Sequence, residues 1–316
     1  MDDPTERHAS AIARELFGAP PGSLSRFPTG MQHFVYDVTM DPGHRIVVRI
    51  SRPGDIDLAK GAVYWSERLR PLGVPLPEIL HVDLEMRRHP FPFIVLERLP
   101  GRDLGIVFET LSRSQLQALA AQLIEIQNSV TALPEGAGFG FARAYDDPFP
   151  HKSWREVIFS DLARCRRRIR TAGVVAEQSV DTVAAMTEPL EGYLADVRPV
   201  PFLHDITTKN VIIDQGRLSG IVDVDDLCFG DPLFLVGLIR VALIAHGRHP
   251  GYAQDWVDLL QPDPEQADAL DLYTAIHCVG FMSELGNRFN RDEAAPIDPD
   301  FLERLRSLHG RLTAGS

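Results

Sequence analysis

Asp205 and Asn210 stand five positions apart in Phe202-Leu203-His204-Asp205-Ile206-Thr207-Thr208-Lys209-Asn210, directly before the apolar run Val211-Ile212-Ile213. Asp223 follows thirteen residues after Asn210, inside Gly220-Ile221-Val222-Asp223-Val224-Asp225, where a second apolar run ends. Phosphoryl transfer needs this set of groups: one carboxylate to take a hydroxyl proton, and an amide plus a carboxylate whose oxygens suit a hard cation such as Mg²⁺ on nucleotide phosphates. Each residue alone also fits a plainer role, an Asx-turn at Asp205 or a strand-end cap at Asp223. Their combined spacing, each next to an apolar strand, favours the chemical reading.

The rest of the chain must position that set. With 316 residues, 44% of them hydrophobic, it can bury a large core and suits two lobes better than one. No apolar run is long enough to span a membrane, and the first residues, Met-Asp-Asp-Pro-Thr-Glu-Arg, lack an apolar signal stretch. Cys165, Cys228 and Cys278 lie far apart, which argues against a disulfide framework or a zinc site and fits a reducing cytoplasm. Lys and Arg number 32 against 44 Asp and Glu, a formal charge of −12. That balance disfavours nucleic acid as a partner. It serves solubility, and it would also attract a cationic substrate.

Patterning predicts a short helix over 5–18, then strands at 34–38, 45–50, 77–82 and 93–97, with a helix over 58–70 stopped by Pro71 and Gly73. After Pro100-Gly101 the character becomes helical: 111–130 capped by Ser112 or Ser114, then 153–171 and 177–195. Strands around Asp205 and Asp223 follow, then helices at 233–247, 252–260, 265–288 and 298–312. The order implies an α+β architecture, a β-rich lobe over residues 1–99 and a larger helical lobe over 100–316.

At residues 202–232 the chain resembles the aminoglycoside phosphotransferase family, relatives of protein and choline kinases, and the resemblance extends over about 27–234. It implies a protein kinase-like bilobal fold, ATP or GTP as phosphate donor, Mg²⁺, and a small-molecule hydroxyl as acceptor. By the same resemblance Asp205 is the catalytic base, Asn210 and Asp223 are the metal ligands, and Gly230-Asp231-Pro232 is the tripeptide after the metal strand. Two departures stand out. The family usually has His two positions before the base, where this chain has Leu203, with His204 next to the base instead. The phosphate-binding lysine of the third strand is replaced by Arg49, which keeps a permanent charge and grips phosphate in a fork. Glu67, on the helix over 58–70, is the candidate partner of Arg49. Gly30 and Gln32, in the turn between the first two strands, are placed to cover the phosphates by backbone N–H groups. Glu97 and Leu99 in Glu97-Arg98-Leu99-Pro100-Gly101 are placed as the hinge facing the purine.

Other motifs carry less. The basic run Arg164-Cys165-Arg166-Arg167-Arg168-Ile169-Arg170 reads as a solvated helix face paired with internal acids. The chain has no Walker A lysine, no hydrolase serine elbow and no paired-histidine helix. For the acceptor, the helical region offers acids (Asp255, Asp258, Asp263, Glu265, Asp268, Asp271, Glu284) that suit a polycation. It also offers Trp256, Tyr273, Phe281 and Met282, which suit a macrolide-like acceptor or simply a core. Three readings stay open: an antibiotic O-kinase, a metabolic kinase for choline, homoserine or a sugar, and a nucleotide-binding pseudokinase.

Overall fold

The computed structural model describes residues 3–27, 33–41, 44–289 and 294–314. It begins with α1 (Glu6–Phe17), β1 (Ser23–Arg26), β2 (Phe34–Asp41), β3 (His44–Ile50), α2 (Ile56–Leu69), β4 (Ile79–Asp83) and β5 (Phe93–Glu97). The strands form one antiparallel sheet in the order β1-β2-β3-β5-β4. Period-two alternation sorts its faces. Tyr36, Val38, Ile46, Val48, Ile50 and Val95 are buried in a core of their own with Ala9, Ile12 and Ala13 of α1. Arg49, between Val48 and Ile50, therefore projects from the opposite face, in register with Val35 and Ile94.

The chain leaves this sheet through 98–101 and comes close against Ile213 at once. Gly101 has φ +99°, and a Cβ there would lie 2.1 Å from the Ile213 carbonyl oxygen, so only glycine fits. β6 (Arg102–Asp103) then joins a second sheet beside β9 (Val211–Asp214) and β10 (Arg217–Ile221). Around it are α3 (Leu104–Val107), α4 (Arg113–Thr131), β7 (Gly140–Ala142), α5 (Trp154–Ala172), α6 (Gln178–Ala185), α7 (Glu191–Asp196), β8 (Val200–Phe202) and β11 (Leu227–Gly230). α8 (Leu233–Ala245), α9 (Gly251–Leu260), α10 (Pro264–Glu284) and α11 (Pro299–Thr313) complete the chain. The third sheet has the order β7-β11-β8. No helix among the described residues is long and apolar enough to cross a membrane.

Most boundaries follow local chemistry. Ser112 caps α4, accepting from the Gln115 N–H while the Gln115 side chain returns to the Ser112 N–H. The helix expected over 177–195 is broken into α6 and α7 by a tight turn at Glu188–Leu190, because Pro189 has no N–H to continue the ladder. The helix expected over 265–288 stops at Glu284, where Leu285 turns extended and Gly286 takes φ +76°. β6 and β7 are too short to leave a pattern in the sequence.

The two halves share a core. Trp65, Leu69, Val74 and Leu76, which precede the chain's exit from the first sheet, are buried with Phe202, Ile221 and Leu227 of the catalytic half. The Trp65 indole N–H donates to the Ala142 carbonyl at 2.9 Å. Gly61 on α2 packs so close that a Cβ would lie 2.0 Å from the Asp225 carbonyl oxygen. α2 is thus fastened to the segment that carries Asp223 and Asp225.

Candidate active site

β8 delivers the chain to Asp205, and β9 begins directly after Asn210. Asp205 is half-buried, and its Oδ1 accepts the Thr207 hydroxyl at 3.1 Å. Asn210 is buried, and its Nδ2 donates to the Asp205 carbonyl at 2.8 Å. That bond turns the amide so that its Oδ1 is the end left for a cation. The Asn210 carbonyl accepts from Val222 at 2.9 Å, and Val211 pairs with Ile221, so the loop is tied to the residues just before Asp223. Asp223 has φ +66°, an uncommon left-handed conformation for a non-glycine residue, of the kind that gathers at functional sites. Its side chain is 55% exposed in the cleft. Desolvation by the cleft walls, then Asp225, raises its carboxyl pKa, and Arg49 opposes them. Asn210 and Asp223 together form an oxygen donor set that fits Mg²⁺, which takes few protein ligands and keeps substrate phosphates and water as the others.

Arg49 is buried, its guanidinium bonded to Asp225 and 3.6 Å from Asp223. Asp225 also receives His33 Nε2 at 3.0 Å, and His33 Nδ1 is 2.9 Å from the Ser51 hydroxyl. Burial alone would raise Asp225, but Arg49 and the His33 hydrogen bond hold its carboxyl down to about 2. Among the described residues, its second oxygen, Oδ1, is buried without a hydrogen-bond partner. Glu67, expected as the partner of Arg49, is exposed on α2, whose side toward the cleft carries the small residues Ala62 and Ser66. Arg49 and Asp223 line a narrow cavity of about 40 Å³ with those two residues, Leu96 and Ile221. The acid that balances the arginine therefore comes from the segment after β10 and not from the helix.

Gly30 and Gln32 lie outside the described residues. Glu97 ends β5; its N–H donates to the Glu78 carbonyl at 2.8 Å and its carboxylate accepts the Glu78 N–H at 3.1 Å. The Leu99 carbonyl accepts the Arg98 guanidinium at 2.8 Å. Arg98 also reaches Asp37 at 3.4 Å, so the hinge is fixed to β2 by an ion pair.

His204 sits next to Asp205, its Nε2 2.7 Å from Asp226 and its ring edge-on to Phe141. Burial would discharge it, yet Asp226, then Asp205 and Asp223, raise its pKa above the ordinary histidine value. The Leu203 side chain is buried in the core, and its backbone is held by Gln127. Two further acids lie in the electrostatic field of this loop. Burial raises Asp161 of α5, with Arg164 and His204 pulling it down. Burial likewise raises Glu284 at the end of α10, offset by Lys209 and Arg168, with Asp205 adding to the rise.

Most of the other acceptor candidates are structural. Asp255 is buried under Arg113, Asp263 caps α10, and Asp271 pairs with Arg240. Trp256, Tyr273 and Met282 are core, and Phe281 stacks on Phe301. The basic run pairs with nearby acids, Arg164 with Asp161, Arg166 with Asp181 and Arg170 with Glu177. Asp231, in the tripeptide after the metal strand, accepts Tyr193, Tyr273 and the Leu233 N–H, which anchors the start of α8 under the site.

Comparison with solved structures shows the same architecture. A thermostable mutant of aminoglycoside phosphotransferase APH(4)-Ia, in ternary complex with ADP and hygromycin B, aligns with a TM-score of 0.68 at 18% identity, over 97% of this chain and 98% of that one. The GDP complex of wild-type aminoglycoside 2'-phosphotransferase-IIIa aligns at 0.65 and 15%, over 99% of each chain. The GDP and kanamycin complex of APH(2")-IIia aligns at 0.67 and 15%, over 98% of this chain and 100% of that one. A search of curated proteins returned no match. Residues 23–270 match the phosphotransferase enzyme family, which takes in both sheets of the cleft, the catalytic loop and α8. The chain belongs to that phosphotransferase enzyme family and has the fold of a kinase-type enzyme.

Proposed function

We propose that this protein transfers the γ-phosphate of ATP or GTP to a hydroxyl of a small molecule, and that the acceptor is a cationic antibiotic of the aminoglycoside kind. The observation that carries the reading is the convergence of Asp205, Asn210, Asp223 and Arg49 on one cleft, on elements locked to one another through Asn210, Val222 and Asp225. Asp205 accepts the acceptor's hydroxyl proton through Oδ2, since Oδ1 is held by Thr207. Asn210 Oδ1 and the Asp223 carboxylate would hold Mg²⁺, which when bound neutralises charge on the nucleotide phosphates. A guanidinium has five donors, so Arg49 serves Asp225 and a phosphate oxygen together. Glu97 and Leu99 offer backbone groups to the purine.

The cationic acceptor is supported by three partly buried acids, Asp161 and Asp226, which interact with His204 next to Asp205, and Glu284, which interacts with Asp205 itself. The aligned enzymes complexed with hygromycin B and kanamycin point the same way. Three cysteines buried outside any disulfide suit a reducing cytoplasm, where nucleotide is supplied. Nucleotide consumption measured against a panel of aminoglycosides, macrolides and primary alcohols tests the proposal. Turnover stimulated by aminoglycosides supports it. Stimulation only by choline, homoserine or sugars would move the enzyme to metabolism, and Mg-nucleotide binding with no turnover on any acceptor would make it a pseudokinase.

A further inference from the structure

Leu203 leaves β8 two residues before Asp205, in the slot where the resemblance expects a supporting histidine, and its own side chain is core. What holds the backbone there comes from α4. Gln127 accepts the Leu203 N–H at Oε1, 3.0 Å, and donates from Nε2 to the Leu203 carbonyl at 2.9 Å. Both ends of one amide close on both polar groups of one residue, so its orientation is determined by the pair. Gln127 is only 6% exposed and lies in the stripe Leu116, Leu119, Ala120, Leu123 and Val130, the one amide on an otherwise apolar buried face. A buried amide in such a stripe is costly unless fully bonded. The loop beyond Asp205 is braced by its own members, Thr207 and Asn210. Its entry is braced by Gln127.

Resting on the phosphotransfer reading above, we propose that Gln127 is a positioning residue of the reaction, fixing the backbone at Leu203 and thereby aiming the Asp205 carboxylate. The hydrogen bonds of Gln127 go to Leu203. Gln127 also lines a cavity of about 280 Å³ between α4, α8 and α9 with Asn128, Asp231 and Trp256. It acts through the main chain, and it does for this chain what the displaced histidine would have done. Gln127→Leu keeps the volume but leaves the Leu203 N–H and carbonyl without partners. A base displaced by a fraction of an ångström to an ångström loses up to about 10²-fold in rate. Nucleotide binding, made by Arg49, Asn210, Asp223 and the hinge, should hold.

Two variants and one exchange measurement test this. In folded Gln127→Leu, acceptor-dependent kcat should fall at least about tenfold with nucleotide KM within about twofold. Hydrogen exchange of the 203–205 amides should quicken at the same time. Gln127→Glu adds a signature that a merely structural role would not give. A protonated carboxyl reproduces the amide, accepting from the N–H and donating to the carbonyl, and burial raises its pKa. Its kcat relative to wild type should therefore climb as the pH is lowered. A folded Gln127→Leu with kcat within about twofold of wild type, or with unchanged 203–205 exchange, would overturn the proposal. If that variant does not fold, a Gln127→Glu pH profile parallel to wild type overturns it equally. Absent turnover in the wild-type chain sinks the phosphotransfer reading and the catalytic half of this inference, whereas unchanged exchange sinks the clamp alone.

Discussion

The two sides of the cleft, assigned under the proposed function to nucleotide and acceptor, are built on different principles. The nucleotide side stands on strand ends: Arg49 on β3, Asn210 before β9, Asp223 and Asp225 after β10. Its charges are matched in a buried network where Asp225 binds both Arg49 and His33. The acceptor side stands on helix faces, with Asp161 on α5 and Glu284 at the end of α10, and mixes acids with Arg164, Arg168 and Lys209. A strand pair fixes its side chains to a sub-ångström frame, which in-line phosphoryl transfer demands. Helix faces can exchange residues without disturbing that frame. On the proposed reading, reaction type is written into the first region and acceptor choice into the second.

Perturbing each region separately tests the contrast. The largest effect is expected from Asp225→Ala, which strands the Arg49 charge in the interior. Removing one partner of a buried pair costs about 3–5 kcal/mol. Chemical denaturation should show that loss, and the nucleotide KM should rise while the acceptor KM holds. Glu67→Ala should change neither quantity, since Glu67 is exposed. Acid separates the regions next. Burial pushes His277 of α10 down to about 3, so it folds neutral against the Phe234 carbonyl. Its folded pKa lies below the unfolded value of about 6.5, so the unfolded chain binds the extra proton and stability is lost as pH falls below that value, by up to about 1.4 kcal/mol per unit. Thermal melts from pH 7 to 5 should show a slope that His277→Gln flattens, whereas the Asp225 carboxyl, held at about 2, stays ionised over that range.

A smaller and more selective effect is expected at Glu284. Glu284→Gln should raise the KM of a cationic acceptor by about tenfold, the worth of one charge-assisted hydrogen bond, with nucleotide KM unchanged. A rise in the nucleotide KM instead would break the division between the two sides. Least of all should follow from Arg166→Ala, whose 2.6 Å pair with Asp181 is at the surface and contributes about 0–1 kcal/mol. A large loss of acceptor binding there would bring the basic run into the site.

The contrast also explains what could be read from sequence. Asp205, Asn210 and Asp223 are close in the chain and flanked by apolar strands, so their spacing carries their geometry. The partner of Arg49 was not legible, because Asp225 lies 176 positions away and only the stacking of the first sheet over the metal segment brings them together. A local search on α2 led to Glu67, which points to solvent. Gly61 holds a clue in hindsight: a glycine inside a helix costs stability unless a backbone approaches, here that of Asp225. Gln127 left a sequence signal too, a single amide in an apolar helical stripe, though nothing local shows that its partner is Leu203. The acids of the helical region were ambiguous because capping, as by Asp263, and ion pairing, as by Asp255, draw on the same residue types as substrate binding.

On the proposed function Asp205 is the base of a phosphoryl transfer. Single-turnover formation of a phosphomonoester, followed by ³¹P NMR with saturating Mg-nucleotide and an aminoglycoside, tests it most directly. The wild-type chain should form the ester, and Asp205→Ala should bind nucleotide within about twofold while its rate falls by about 10²–10⁴. A rate for Asp205→Ala within about tenfold of wild type would contradict the assignment.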